Sequence, residues 1–103
     1  MQLNEYQDAT TKHRTGPSRQ AIECGFAEEA GEVMGVLKRI YRGDFDEVEA
    51  RNKIRKECGD VLWYMAQFLS DWDLSLEDVA QTNLAKLDGR LKQGKLKGSG
   101  DDR

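Results

Sequence analysis

Ile22-Glu23-Cys24-Gly25-Phe26-Ala27-Glu28-Glu29-Ala30-Gly31-Glu32-Val33-Met34-Gly35-Val36-Leu37-Lys38-Arg39-Ile40 reads as an amphipathic helix with acids lodged in its apolar side. At about 100° per residue, with Ile22 at zero, Val33 falls at about 20°, Phe26 at about 40° and Leu37 at about 60°. Glu29 falls at about −20°, inside that stripe, Glu32 at about −80° on its flank, and Glu28 farther out at about −120°. Gly25, at about −60°, leaves room beside them because it lacks a side chain.

The stretch from Asp46 to Asp71 repeats the pattern. Ile54, Cys58, Val61, Met65, Phe68, Leu69 and Trp72 form its stripe. Glu57 lies at about −60°, Tyr64 at about −80° and Asp60 at about −120°, on the same flank as the first acids. Gly43-Asp44-Phe45 stands midway between the two acid pairs. In an antiparallel hairpin both pairs therefore sit at one height, roughly 20 Å from the turn. Four carboxylates, Glu29, Glu32, Glu57 and Asp60, are expected to converge.

Convergent carboxylates repel one another and must be neutralised by bases or by a cation. Lys53 precedes Glu57 by four residues and Lys56 precedes Asp60 by four, so ordinary surface ion pairs are one explanation. A metal site is the other, favoured by two level pairs of which one intrudes on the core stripe. An all-oxygen site suits Mg²⁺, with Mn²⁺ as a substitute. A di-iron bundle needs Glu-x-x-His pairs, and the single histidine, His13, adjoins neither motif.

The rest of the chain is helical in period too. A first segment covers about Leu3 to His13, Gly16-Pro17-Ser18 breaks it, and Pro17 suits the first turn of the next helix. A fourth segment starts at Ser75, with Asp78 at the capping-box offset, and runs to about Leu91. Its flank carries Asn83, Lys86 and Arg90, read either as a buried amide with two snorkelling bases or as an amide and two cations matched to the acids, Lys86 and Arg90 meeting phosphate oxygens. Residues 1–91 are expected to form one helical domain and residues 92–103 a Gly/Lys-rich tail. Gly89 and Gly94-Lys95 imitate a phosphate-loop spacing, but Leu96 stands where Ser or Thr is required.

Composition narrows the function classes. In 103 residues there are 19 Asp plus Glu against 16 Lys plus Arg, a net charge of −3, which offers no basic surface for a nucleic-acid polymer. Val61 to Ala66, the longest apolar run, is far too short for a membrane span, and the start is polar from Gln2 onward. Cys24 and Cys58 match no zinc or redox spacing and read as reduced, partly buried thiols of a cytoplasmic protein. Trp63 and Ala66 give the third segment a second apolar face, which points to a subunit interface unless the first segment covers it.

The acid motifs, the Ser75-Leu76-Glu77-Asp78 start and the run from Asn83 through Lys86 to Arg90 resemble the MazG-like nucleoside triphosphate pyrophosphohydrolases. The likeness extends over about residues 3–90 and is to the short type found in phages and mobile elements. It implies an all-α, four-helix MazG-like bundle assembling as a dimer or dimer of dimers. It also implies Mg²⁺-dependent hydrolysis of a (deoxy)nucleoside triphosphate to the monophosphate and pyrophosphate. Glu29, Glu32, Glu57 and Asp60 are the implied metal ligands, and Glu28 is an accessory acid beside catalytic Glu29 and Glu57. Tyr64, Asn83, Lys86 and Arg90 are the implied substrate contacts. Tyr6, Gln7 and His13 of the first segment are candidates for base recognition. Cys58 replaces an aliphatic residue of the pattern. Related readings are a dUTPase, a phosphoribosyl-nucleotide pyrophosphohydrolase of the histidine pathway, or a non-catalytic helical interaction module.

Overall fold

Three side-chain caps set where the long helices begin. Ser18 Oγ accepts from the Ala21 amide at 3.1 Å, Asp46 Oδ1 from Glu49 at 2.8 Å and Ser75 Oγ from Asp78 at 3.1 Å. In the computed structural model, which describes residues 1–94, these caps open α2 (Arg19–Tyr41), α3 (Glu47–Asp71) and α4 (Leu76–Gln93). Before them lie α1 (Leu3–Thr10) and a 3-10 turn (Thr11–His13). No strand occurs among the described residues.

Two boundaries differ from expectation. Pro17 precedes the Ser18 cap and so stands outside the helix, not in its first turn. α4 continues past Leu91 to Gln93 and ends on Gly94, whose φ of 71° is the left-handed cap geometry that glycine adopts without strain. The remainder of the expected tail, residues 95–103, lies outside the described residues.

α2 and α3 form the antiparallel hairpin, turning at Gly43 with φ 89°. Ile22 and Val36 of α2 and Ala50, Ala66 and Leu69 of α3 are buried. α1 packs on α3, where Ala66 is fully buried and Trp63 is half-buried. α1 lacks apolar periodicity because it docks through amides and hydroxyls. Gln7 Nε2 donates to Ser70 Oγ at 2.9 Å and to the Leu74 carbonyl at 3.0 Å, while its Oε1 accepts from the Leu76 amide at 2.8 Å. Gln67 Nε2 donates to Thr10 Oγ1 at 2.6 Å. All three side chains are buried, and each such bond contributes about 1 kcal/mol while costing more if left unmade.

α4 leans chiefly on α1, with Leu76 joining Ala66 and Leu69 in a small core edged by Tyr6, Met65 and Phe68. The arrangement is open. Its radius of gyration is 16.6 Å, against about 13 Å for a closed domain of this size. Met34, Val48, Leu84 and Leu91 are each more than 60 % exposed. Cys24 and Cys58 are free and exposed, not partly buried, because nothing in the open protomer covers those positions. Among the described residues no helix is long and apolar enough to cross a membrane.

Candidate metal centre

Glu57 and Asp60 are three residues apart on α3 and so project from one side of it. Glu29 reaches them from α2 across the hairpin. Each of the three offers a carboxylate oxygen within 4.8 Å of the others. Glu29 and Glu57 are half-buried and Asp60 is exposed. Burial, and then the charges of Asp60, Glu57, Glu32 and Glu28, push the Glu29 carboxyl above the usual carboxylate range.

Neighbouring lysines do not relieve this charge. The ion pairs found among the described residues are Arg14–Asp71 and Arg42–Asp44, so the pairings Lys53–Glu57 and Lys56–Asp60 are not formed. Lys53 Nζ instead sits 4.6 Å from the centre of the Phe45 ring. Three hard oxygen donors from two rigid helices, with like charges pressed together, fit a divalent cation such as Mg²⁺ or Mn²⁺.

The other expected site residues are not gathered as tightly. Glu32 is exposed and outside the three-carboxylate group, although its charge is felt at Glu29. It lies one turn nearer the hairpin turn, with solvent beside it. Glu28 is likewise exposed and acts on Glu29 through charge. Tyr64 is one turn beyond Asp60, and its ring lies against Gly25 of α2. The space that Gly25 leaves is therefore filled by an aromatic ring and not by the acids.

α1 also reaches this side. The Tyr6 phenol is pushed above its ordinary value by burial and then by the charge of Asp60. Of the three first-segment candidates, Tyr6 alone shows this link to the acids. Gln7 is committed to holding helices together, and His13 is exposed in the 3-10 turn.

Asn83 and Lys86 line a different cavity of about 360 Å³, with Leu74, Asp78, Val79 and Thr82. None of Glu29, Glu57 or Asp60 lines it. Arg90 is buried, at 5 % exposure. The matched flanks of the helical wheels do not meet inside one chain because α4 leans on α1 and not along the hairpin.

Sequence reasoning missed a second charged cluster where α2 begins and α3 ends. Arg14 forms a fork with Asp71 at 2.7 and 3.0 Å, which holds the Asp71 carboxyl below its usual range. The Arg19 guanidinium lies 4.1 Å over Trp72, whose indole nitrogen donates to Glu23 at 3.1 Å. Trp72, expected in the core stripe, is 57 % exposed because it follows the last turn of α3. An indole just past a helix end, opposite Arg and Glu, was the available signal.

A family model for the MazG nucleotide pyrophosphohydrolase domain matches residues 18–94, which include α2, α3 and α4. The Gene 37 protein of Mycobacterium phage L5 is 42 % identical over 85 residues, covering 80 % of this chain and 74 % of that protein. No solved structure matches the chain.

Proposed function

The chain belongs to the MazG nucleotide pyrophosphohydrolase family, and from that footing we propose that it hydrolyses a (deoxy)nucleoside triphosphate to the monophosphate and pyrophosphate, using Mg²⁺. One observation carries the reading: Glu29, Glu57 and Asp60 bring carboxylate oxygens within 4.8 Å of one another, with no ion-paired base beside them among the described residues. Glu29, Glu57 and Asp60 hold the ion in this proposal, and Glu32 turns inward to join them. Mn²⁺ is the expected substitute. When bound, the ion neutralises phosphate charge and acidifies water.

The chain's own side chains supply the rest. Glu28, exposed at the rim, orients the attacking water. Tyr64 borders the cluster on the side where the nucleoside extends, and Asn83, Lys86 and Arg90 meet the triphosphate.

A homodimer or homotetramer belongs to the same proposal. Asn83 and Lys86 line a cavity apart from the acids of their own chain, so a second copy is the natural source of cations for each cluster. Exposed Leu84 and Leu91, seven residues apart on α4, provide apolar surface for that association. The cytoplasm, where nucleotides and Mg²⁺ coexist and free thiols persist, is the proposed compartment.

The test is pyrophosphate release by the full chain with Mg²⁺, across a panel of deoxy- and ribonucleoside triphosphates including dUTP. Release from at least one of them is expected. The Glu57→Gln variant is expected to lose it while keeping its helical circular dichroism. Near-normal turnover in that variant, or no release from any nucleotide, refutes the reading.

A further inference from the structure

We propose that Gly25 is a positioning residue for the carboxylate cluster, seating the Tyr64 ring against α2 so that the hairpin is close enough for Glu29 to share an ion with Glu57 and Asp60. This rests on the metal reading above and adds to it a residue that bears no ligand. A Cβ built on Gly25 stands 2.8 Å from both Cδ1 and Cζ of Tyr64 and closer still to Cε1. Gly31, Gly35 and Gly59, on the same two helices, have open space at the corresponding point. Gly25 is thus the helix glycine of the hairpin whose missing side chain is replaced by a neighbour.

The ring has a second neighbour. It meets Trp63, the preceding residue of α3, edge-on, with centroids 5.0 Å apart. Gly25 is one turn before Glu29 and Tyr64 one turn after Asp60, so this contact lies about 6 Å along the hairpin from the acids. Helix separation follows the bulk of the side chains at such a crossing. Mg²⁺ requires oxygens at about 2.0–2.1 Å in near-octahedral order, so a shift of about 1 Å at Glu29 removes it from the shell.

Mn²⁺ binding to the full chain, read by electron paramagnetic resonance without nucleotide, tests the proposal in four proteins. These are the natural chain, Gly25→Ala, Tyr64→Leu and the double variant. Gly25→Ala is expected to weaken Mn²⁺ binding at least about tenfold, in the range seen for residues that orient metal ligands. The double variant, with the ring gone, is expected to return to within about threefold of Tyr64→Leu alone, since the two changes share one contact. Alanine favours a helix interior over glycine, so a purely local effect raises the melting temperature and leaves Mn²⁺ affinity unchanged. That pattern overturns the proposal, as does a folded double variant that binds no better than Gly25→Ala or, where Gly25→Ala does not fold, binds more weakly than Tyr64→Leu. Failure of the natural chain to bind Mn²⁺ sinks the metal reading and this proposal together. Binding by the natural chain with equal binding by Gly25→Ala sinks the positioning role alone.

Discussion

Two groups of acids on the α2–α3 hairpin meet opposite treatment. Where α2 begins and α3 ends, Asp71 is forked by Arg14, and Glu23 accepts from Trp72, on which Arg19 lies. Midway along the same helices, Glu29, Glu57 and Asp60 crowd together without ion-paired bases among the described residues. The first group lowers the pKa of its aspartate, and the second raises that of Glu29. Folding alone rewards the first arrangement and penalises the second. The penalty is understandable if the middle of the hairpin awaits positive charge from outside the chain.

The sharpest way to break this contrast is to neutralise one aspartate in each group. Asp60→Asn is expected to cut pyrophosphate release by more than about a hundredfold. Asp71→Asn is expected to leave turnover per folded molecule unchanged. Similar losses in both variants would erase the distinction between the groups.

Divalent cations give the next largest effect. At a hundred times its dissociation constant, an ion bound to the folded state stabilises it by about 2.7 kcal/mol. In a chain of this size that raises Tm by roughly 10–20 °C. Mn²⁺ is expected to produce such a shift in calorimetry, EDTA to reverse it, and Asp60→Asn to show none.

Without metal, the two groups should respond to neutralisation with opposite signs. Glu57→Gln relieves repulsion on Glu29 and is expected to raise Tm in EDTA by a few degrees, equivalent to about 1 kcal/mol or less. Asp71→Asn breaks a pair whose side chains are 21 % and 18 % exposed, and it is expected to lower stability by about 1 kcal/mol.

Acid gives the smallest effect, again with opposite signs. The Asp71 pKa is depressed by folding, so its contribution is complete above the ordinary aspartate value of about 3.9 and is lost as pH falls through the depressed value. The Tm gap between the natural chain and Asp71→Asn should therefore close only at low pH. The Glu29 pKa is raised, so the strain of its ionised form is present above the raised value and relieved as pH falls through it. In EDTA the advantage of Glu57→Gln should shrink from neutral pH towards the carboxylate range.

Much of this was legible in the sequence where the chemistry is local. Asp46 and Ser75 stand at the helix starts read from the sequence, where their oxygens bond to amides three residues on, whereas Pro17 drew the start of α2 ahead of its Ser18 cap. Glu29, Glu57 and Asp60 could be brought together by helical period and the position of Gly43 alone. Glu32 escaped because a wheel fixes the direction of a Cβ, not how far an exposed side chain leans. The docking of α1 was hidden because Gln7, Thr10 and Gln67 replace apolar contacts with hydrogen bonds, which leave no period. The direction of α4 was hidden for the same reason, since it depends on the bond from Leu76 to Gln7 across 69 residues of sequence.

That one amide sits at the root of a long arm. Gln7 bonds the Leu76 backbone and Asn4 Oδ1 accepts from the Glu77 amide at 3.2 Å, while the 17 residues after Leu76 extend about 26 Å. A tilt of about 5° at the root displaces the far end of α4 by about 2 Å. Two amide side chains of an eight-residue helix thus set the heading of a helix more than twice as long.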